Sequence, residues 1–388
     1  MRLLHIAPNY LPAWRYGGPI RSVHGLCRAL VELGHEVHVY TTNVDGPGTL
    51  EVPLGVPVDR DGVKVWYFPV GFPRRIFHSP AMRRMLAEQV GGFDFVHLHS
   101  TYLWPMWAAA RAARKAGVPY VLTPRGTLVK ELVRSRSRYV KTVWIHLIED
   151  RTIREAAFLH VTSEHEAAAL KHFNFRLPSV EIIPNGIDVT QDLTEQVVSP
   201  REGNGGVILF LGRLSWEKGL DRLIPAMTHL PGTQLLIAGN DDKGYRVALG
   251  VLAAQHGVAA QVQFLGPVYG ADKESLFSRA NLVVVPSYSE NFGNVVLEAW
   301  ARGCPVAMTP EVGLASVANE TGAGAVVPGE PNALGAALKL LLASPEVLET
   351  MALRGSQVVV DQFDWAAIAR RMEAAYVAHG IQGKRAAA

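Results

Sequence analysis

Long hydrophobic runs are absent from this sequence, although 48% of its 388 residues are apolar. No apolar stretch approaches the roughly 20 residues that a helix needs to cross a bilayer. The opening residues 1–7 are typical of a strand and lack the long apolar core of a secretory signal. We therefore expect a globular, cytoplasmic protein whose apolar residues build internal cores.

Cysteine is scarce as well, and Cys27 and Cys304 are the two examples. Neither stands in a spacing typical of a metal site, so we expect both to be reduced and packed, as in cytosolic proteins. A GxGxxG turn is missing after the first predicted strand, and residues 40–42, at the end of the second, include no acidic side chain. These absences count against a dinucleotide-dependent oxidoreductase.

Charged residues make up only 19% of the chain, and the two halves differ in sign. Residues 1–190 contain 23 Lys and Arg against 16 Asp and Glu, a net +7, whereas residues 191–388 contain 15 against 19, a net −4. This asymmetry predicts that the first half faces an anionic partner. Segments 72–86 and 130–144 interleave cations with aromatic and aliphatic residues, as a surface for anionic lipid would. The alternative for both is an ordinary solvated helix face.

Predicted strands and helices alternate along the whole chain. This order favours parallel sheets covered by helices on both faces. The polar, glycine-rich stretch 189–206 is typical of an interdomain linker. We therefore predict an N-terminal α/β domain over residues 1–188 and a second α/β domain over residues 207–363.

The most informative motif follows the apolar run 281–285, which predicts a buried parallel strand. Two carboxylates stand eight residues apart there, and residues 295–302 predict a helix. Gly293 lies at the junction, where unpaired N–H groups and the helix dipole can bind a phosphate. Glu290 at the strand end can bind sugar hydroxyls, and Glu298 can reach a ribose diol. The alternative is a solvated Glu followed by a helix-stabilising Glu.

A second motif supplies positive charge after the apolar run 207–211. Gly212 and Arg213 follow this run directly, and Lys218 stands at a predicted helix start. Arginine offers a planar fork and lysine a point charge, and together they can hold a diphosphate. As plain surface cations they would be disfavoured by the helix dipole, so a phosphate clamp is the favoured interpretation.

Two histidines end a predicted strand of the first half. Alternation along a strand puts His97 and His99 on one face, where they could belong to a metal site or form a packed, hydrogen-bonded pair. No third ligand at metal spacing is evident. Asp59-Arg60-Asp61 matches the metal-binding pattern Asp-x-Asp, but it stands in a surface-like turn far from the clamp, and chance explains it best. We predict no metal.

Two loops of the first half also follow predicted strands. Gly17 and Gly18 precede the first helix, and glycines let a backbone approach a ligand closely; the alternative is a plain tight turn. Arg125 follows Pro124 at another strand end. It either contacts an acceptor phosphate, which we favour, or forms a surface salt bridge.

Together these motifs resemble the retaining glycosyltransferases of family 4, the large group that builds bacterial surface polysaccharides and glycolipids. The resemblance covers nearly the whole chain and is most specific for the Glu pair and the Arg/Lys turn. Residues 123–128 resemble a Pro-Arg-Gly signature found among exopolysaccharide and O-antigen enzymes. The other matching segments are 17–18, 97–99, 183–188, 235–239 and 262–268.

The resemblance implies a GT-B fold: two Rossmann-like, doubly wound parallel-sheet domains facing a central cleft. The last helix, in residues 364–388, is expected to cross back onto the first domain. The implied reaction transfers a sugar from a nucleoside-diphosphate donor, UDP first and GDP next, with retention at the anomeric carbon. It needs no cofactor and no metal.

Individual residues acquire roles from the same resemblance. The catalytic set is His99, Arg213, Lys218 and Glu290. The donor would be bound by Gly18, Gly266, Val268, Asn291, Phe292, Gly293, Asn294 and Glu298, and the acceptor by Gly17 and Arg125. Gly266 and Val268 would frame the base, and the backbone of Phe292–Asn294 would cover sugar and phosphate.

The partners expected are the nucleotide-sugar donor, a lipid-linked saccharide or related acceptor, and an anionic membrane surface, with no nucleic acid. The protein would then bind peripherally to the inner face of the cell membrane. Two alternatives use the same donor site. One is a nucleotide-sugar epimerase on the same fold, and the other is a non-catalytic nucleotide-sugar-binding protein.

Overall fold

The computed structural model describes residues 1–127, 149–172, 176–189, 206–241 and 244–386. The chain divides into two compact units, one formed by Met1–Gly186 with Trp365–Ala388 and the other by Ile187–Asp364. The predicted linker 189–206 lies outside the described residues except at its two ends. Among the described helices, none combines the length and the apolar character that a membrane span requires.

The first unit contains a sheet of eight described strands and a small hairpin. The strands are β1 (Arg2–Ile6), β2 (Glu36–Thr42), β3 (Val44–Asp45), β4 (Gly48–Thr49), β5 (Pro57–Arg60), β6 (Val63–Phe68), β7 (Phe95–His99), β8 (Tyr120–Thr123), β9 (Phe158–Val161) and β10 (Val180–Ile182). Their order in the sheet is β10-β9-β8-β7-β1-β2-β6-β5, parallel except for β5, while β3 and β4 pair separately. The helices are α1 (Gly18–Glu32), α2 (Pro80–Gln89), α3 (Trp104–Ala116), α4 (Asp150–Arg154) and α5 (Glu164–Leu170).

The second unit contains a parallel sheet of six strands in the order β13-β12-β11-β14-β15-β16. These are β11 (Val207–Leu211), β12 (Gln234–Ala238), β13 (Val262–Gly266), β14 (Leu282–Val285), β15 (Val306–Met308) and β16 (Ala325–Val326). The helices are α6 (Leu220–Ala226), α7 (Tyr245–Gln255), α8 (Gly270–Arg279), α9 (Asn294–Trp300), α10 (Ala315–Thr321), α11 (Pro331–Leu342) and α12 (Pro345–Gln362). The closing helix α13 (Trp365–Ala386) belongs to the first unit.

Each sheet separates two apolar cores, one on each face. In β1, Leu3 lies in one core and Leu4 in the other, and in β11 Ile208 and Leu209 divide in the same way. Because both faces are buried at the centre of the second sheet, β11 and β14 are continuous apolar runs rather than alternating ones. The prediction of two doubly wound parallel-sheet α/β domains is confirmed. Cys27 and Cys304 are free and buried, as predicted.

Helix α13 packs against α1 on one face of the first sheet. Gly25 permits this contact, since a Cβ atom built there would lie 2.3 Å from the Trp365 ring. Trp365 and Tyr376 are buried in the same core as Phe95 of β7. His97 and His99 alternate with the residues that face the opposite core, so they lie on this face too.

Candidate functional site

The strand order reverses once in each sheet, between β1 and β7 in the first unit and between β11 and β14 in the second. Ligands of doubly wound sheets bind outside the carboxyl ends of the strands at such a point. His99 ends β7, Arg213 and Lys218 follow β11, and Glu290 follows β14. Most of the predicted catalytic residues therefore stand at the two positions where the topology favours a site.

Close backbone packing joins the loops that follow β11 and β14. Gly219 has a φ of +69°, and a Cβ there would lie 1.9 Å from the carbonyl oxygen of Pro286. Gly239 is equally constrained, because its Cβ would lie 1.7 Å from the carbonyl oxygen of Gly212. Only glycine fits at these two contacts. The first brings the Lys218 turn against the Glu290 loop, and the second brings the end of β12 against the Arg213 turn.

Lys218 and Glu290 form an ion pair between Nζ and Oε2. Their side chains are 19% and 21% exposed, so the pair is neither buried nor fully solvated. The backbone of Glu290 is held on both sides, since its N–H donates to Glu311 at 3.1 Å and its carbonyl accepts from Gly313 at 2.8 Å. The carboxylate is thus fixed in place beside a cation that a phosphate could share.

Arg213 is held much more loosely. Its side chain is 56% exposed, and its Nη2 lies 3.8 Å from Oε1 of Glu217, four residues away. Such an exposed pair contributes at most several tenths of a kcal/mol. The guanidinium can therefore turn to an anionic ligand at little cost.

Glu298, predicted for the ribose, lies in α9 and is paired with Lys273 of α8. The distance from Lys273 Nζ to Glu298 Oε2 is 2.6 Å, and the lysine side chain is only 11% exposed. Arg302 donates to the Glu298 carbonyl at 2.8 Å and binds Glu274 with two nitrogens. Sequence reasoning missed Lys273, because nothing local marks a lysine of another helix as the partner of Glu298.

A cavity of about 220 Å³ lies at the carboxyl ends of β12 and β13. The Arg246 guanidinium lies 5.4 Å from the centre of the Phe264 ring in its wall. A flat cationic and aromatic wall suits a planar heterocycle. The lining includes Leu214, Gly239, Arg246, Phe264, Gly266 and Pro267. Gly266 is thus in the wall, whereas Val268 packs against a core.

The turn before α9 presents its backbone rather than its side chains. Gly293 has a φ of +97° and directly precedes the helix. Phe292 is 4% exposed and packs edge-on to Phe363, with ring centres 6.1 Å apart. Its ring cannot reach a ligand, so any contribution must come from main-chain N–H groups. Asn291 precedes it, and Asn294 begins the helix.

Backbone strain marks the strand ends of the first unit. Ser100 and Tyr102, just beyond β7, have φ values of 108° and 62°, and Arg125, just beyond β8, has 49°. Non-glycine residues adopt such values rarely, and they concentrate at functional sites. Gly17, with a φ of 72°, precedes α1, which Gly18 begins. Apart from its two neighbours in the chain, no described residue places an atom within 4 Å of a Cβ built on Gly17, so open space lies beside this loop in the described part of the structure.

His97 and His99 share a face as predicted and stack with ring centres 4.0 Å apart. Two further buried histidines join them, His5 from β1 and His160 from β9. Burial is the main cause that lowers the pKa of His5 and of His160 to about 3 and holds the pKa of His97 and His99 well below the usual range. All four rings are therefore neutral at physiological pH.

Arg125 points inward, to this cluster. Its Nε and Nη2 each lie 3.3 Å from His99 Nδ1, and its Nη1 donates to Ser22 Oγ at 2.8 Å. Burial lowers the pKa of this guanidinium to about 10, so it remains charged. The bonds use three of its five N–H groups. The structure thus places Arg125 beside His99, two residues that the sequence treated separately.

Nitrogen atoms of His5, His97 and His99 all lie within 4.8 Å of one another, which raises the question of a metal site. Both nitrogens of His97 are occupied by Tyr376 and Thr123, and His99 bonds Arg125 and His5. A metal would have to displace these bonds and lie next to a guanidinium. The donor set therefore does not fit a cation.

Two family models match the chain. Residues 17–186 match the "Glycosyl transferase 4-like domain" and residues 193–358 match "Glycosyl transferases group 1". A glycogen synthase of Mycobacterium tuberculosis is 27% identical, covering 97% of this chain and 95% of its own length. A D-inositol 3-phosphate glycosyltransferase of Mycobacterium avium is 28% identical over 87% of this chain and 83% of its own.

Solved structures show the same fold. A sucrose-phosphate synthase from Thermosynechococcus elongatus superimposes with a TM-score of 0.76 at 24% identity, covering 97% of this chain and 98% of its own. HepE of Anabaena, in complex with UDP and glucose, gives a TM-score of 0.75 at 20% identity, covering 97% and 100%. With both sequence models and these folds in agreement, the chain belongs to the glycosyltransferases of the GT-B fold.

Proposed function

We propose that this glycosyltransferase moves a sugar from a nucleoside-diphosphate donor, UDP most favourably and GDP next, with retention at the anomeric carbon. The observation that carries the proposal is the Lys218–Glu290 pair at the strand-order reversal of the second unit. A carboxylate for sugar hydroxyls and a cation for a phosphate stand side by side there. Arg213 follows the same strand and is free to turn toward the phosphates.

The charges of the site suit a leaving diphosphate. Lys218 is neutralised by Glu290 before the donor binds, while Arg213 has, among the described residues, only its weak contact to Glu217. When the donor binds, the two cations would oppose the negative charge that grows on the leaving group, so no metal is required. If the acceptor hydroxyl then attacks the anomeric carbon from the face that the diphosphate leaves, the configuration is retained without an enzyme nucleophile.

The rest of the donor would extend from this clamp. Glu298, positioned by Lys273, would bind the ribose diol, and the cavity beside Gly266 would hold the base. The main chain of 291–294 would cover sugar and phosphate. Val268 contributes through its backbone, because its side chain packs against a core. HepE, which shares the fold, was solved with UDP and glucose, and this supports UDP as the first donor to test.

The acceptor would be bound by the first unit. Gly17 and Gly18 leave room for a ligand beside the start of α1, and Arg125 retains N–H groups for an acceptor phosphate. His99 would lie next to the donor sugar. A lipid-linked saccharide is the acceptor class we propose, in cell-surface polysaccharide synthesis of the exopolysaccharide or O-antigen type.

The exposed loop before α2 supports a further part of the proposal, binding to a membrane. Phe72 is 92% exposed, and Arg74, Arg75 and two arginines of α2, Arg83 and Arg84, are exposed as well. Each cation near an anionic leaflet contributes about 1 kcal/mol. Segment 130–144, the other predicted lipid-binding segment, lies outside the described residues. We propose peripheral binding to the cytoplasmic face of the membrane.

The deciding experiment is a donor screen by nucleotide release, with and without a membrane-lipid extract and with EDTA present. Release that requires both a UDP- or GDP-sugar and the extract supports the proposal. Conversion of the donor sugar to an epimer without acceptor would instead make the protein an epimerase, and binding without turnover would make it a binding protein. Strict dependence on Mg²⁺ or Mn²⁺ would contradict the metal-free clamp.

Flotation with vesicles tests the membrane part separately. The protein should float with vesicles rich in anionic lipid and remain behind with neutral ones. Changing Phe72 to Ser and Arg74 and Arg75 to Glu should abolish flotation. A wild-type protein that never floats would contradict membrane binding and would mean that the acceptor is bound away from the membrane surface.

A further inference from the structure

The hydrogen atoms of the buried histidines can be assigned from their partners. One relay begins at the Ile183 carbonyl, which can only accept. His160 Nε2 donates to it at 2.8 Å, so in the neutral ring Nδ1 accepts, and Thr123 donates its hydroxyl hydrogen there at 2.8 Å. Thr123 oxygen is left to accept from His97 Nε2 at 2.6 Å. His97 Nδ1 then accepts from the Tyr376 hydroxyl at 2.6 Å.

A second relay begins at Arg125, which can only donate. His99 Nδ1 accepts from its guanidinium at 3.3 Å, so the hydrogen of His99 must be on Nε2. That hydrogen is donated to His5 Nδ1 at 2.9 Å. His5 therefore carries its own hydrogen on Nε2, for which the described residues supply no acceptor. Working from opposite ends, the two relays assign the same tautomer to all four rings.

We propose that the two relays form a positioning network around His99: Arg125 and His5 hold it as a neutral imidazole with its hydrogen on Nε2, while His97, bonded to Tyr376, fixes the ring by stacking against it. The relays meet where the His97 and His99 rings stack at 4.0 Å. Tyr376 belongs to the last helix of the chain, so α13 sets the orientation of a ring in β7 from 279 residues away.

The network limits what His99 can do. Its Nδ1 lone pair is taken by Arg125 and its Nε2 hydrogen by His5. A ring in this state neither removes a proton nor titrates near neutrality, so His99 contributes by its fixed position and not by acid–base chemistry. The catalytic meaning rests on the proposed function, whereas the tautomers are a property of the unliganded protein and can be tested without any substrate.

The first test is nitrogen NMR of the full-length protein with histidine labelled in the ring. Of its 14 histidines, the four of the network should show the neutral pattern with hydrogen on Nε2, and they should not titrate across the usual histidine pKa of about 6.5. Single His→Gln variants assign the signals. A network ring that titrates near that pH, or that carries hydrogen on Nδ1, would overturn the proposal.

Two variants separate the relays. Arg125→Met removes the donor to His99, so the tautomers of His99 and His5 should become mixed while those of His97 and His160 remain. Arg125→Lys keeps a donor and should restore the wild-type pattern. Tyr376→Phe should leave all four tautomers in place, because the Ile183 carbonyl sets those of His160 and His97, and should remove only the bond that holds the His97 ring at Nδ1. Unchanged signals of His99 and His5 in a folded Arg125→Met protein would show that Arg125 does not set them.

The kinetic test uses tyrosines that differ in what their hydroxyl contacts. Tyr376→Phe should lower kcat for transfer about five- to tenfold with little change in KM for the donor. Tyr120→Phe is the control, because that buried hydroxyl donates to the Thr152 carbonyl outside the network, at 2.7 Å; it should leave kcat unchanged. If Tyr376→Phe leaves kcat unchanged in a folded protein, the positioning role of the first relay is wrong although the transferase assignment stands. If the wild type transfers no sugar, the proposed function fails and the NMR result is unaffected.

Discussion

The two strand-order reversals of this protein carry opposite kinds of chemistry. In the first unit four buried, neutral imidazoles lie together beside the partly buried Arg125, and burial holds the histidine pKa values low. In the second unit the charged pairs Lys218–Glu290 and Lys273–Glu298 are partly exposed. Under the proposed function the second site binds a doubly charged diphosphate and needs accessible charges, whereas the first site orients a ligand and works best with rigidly held groups.

The largest effect is expected when a cation of the second unit is removed, and this tests the contrast between the two sites most directly. Lys218→Ala or Arg213→Ala should lower kcat by about 10²- to 10³-fold, because each takes away charge stabilisation of the leaving group. Nucleotide release at saturating donor measures this. Lys64→Ala is the matched control, since Lys64 also pairs with a carboxylate, Glu36 at 2.6 Å, but in the first unit. Equal losses in control and test variants would refute the clamp.

Acid should destabilise the first unit before the second. His5 and His160 have a pKa of about 3 in the folded protein and about 6.5 when unfolded. Between these values the unfolded chain binds more protons than the folded one. The contribution of these two rings to the free energy of unfolding is therefore fully present above pH 6.5. It is lost as the pH falls through this window, by up to about 1.4 kcal/mol per pH unit for each ring.

Hydrogen exchange measured at about pH 7 and pH 5, and corrected for intrinsic rates, tests this order of unfolding. Peptides from β1 and β9 should lose protection at the lower pH while those from β11 and β14 keep it. His229 and His256 of the second unit, unlike the four clustered rings, are not buried. Simultaneous loss in both units would show that the histidine cluster does not control acid stability.

Two helix glycines provide a matched pair between the units. Gly25→Ala in α1 should destabilise the first unit by about 1–3 kcal/mol, because the new Cβ would overlap the Trp365 ring. Gly250→Ala in α7 meets no atom within 4 Å and should stabilise by up to about 1 kcal/mol. Urea unfolding measures both changes in the free energy of unfolding. A neutral Gly25→Ala would mean that α13 can move away from α1 without loss.

The smallest effect on the donor site is expected at the ribose contact. Lys273→Met leaves Glu298 without its ammonium partner, so affinity for UDP should fall about tenfold, equivalent to 1.4 kcal/mol. The preference for UDP over its 2′-deoxy analogue should shrink as well. Lys339→Met, at an exposed lysine of α11, is the control and should change neither. Calorimetric titration with both nucleotides checks this; an unchanged preference would place the ribose elsewhere.

Local motifs predicted the second unit better than the first. Arg213, Lys218 and Glu290 stand between the end of a strand and the start of a helix, and Glu298 lies inside the helix that follows, so all four come with recognisable strand or helix signals. Because side chains of a strand point alternately to its two faces, the sequence also predicted that His97 and His99 share one face. The same rules could not join them to His5 and His160, because neighbouring strands in a parallel sheet are far apart in sequence. His5 pairs with His97 in register only once β1 and β7 are adjacent.

The sequence alone therefore determined the two α/β domains and the charged groups of the proposed donor site, since short-range periodicity and turn residues encode both. The tertiary structure decided which groups are coupled: Arg125 with His99, Tyr376 with His97 and Lys273 with Glu298. These contacts join residues 25 to 279 positions apart. They exist because sheet order and helix packing bring distant segments together, and no local pattern of residues specifies that arrangement.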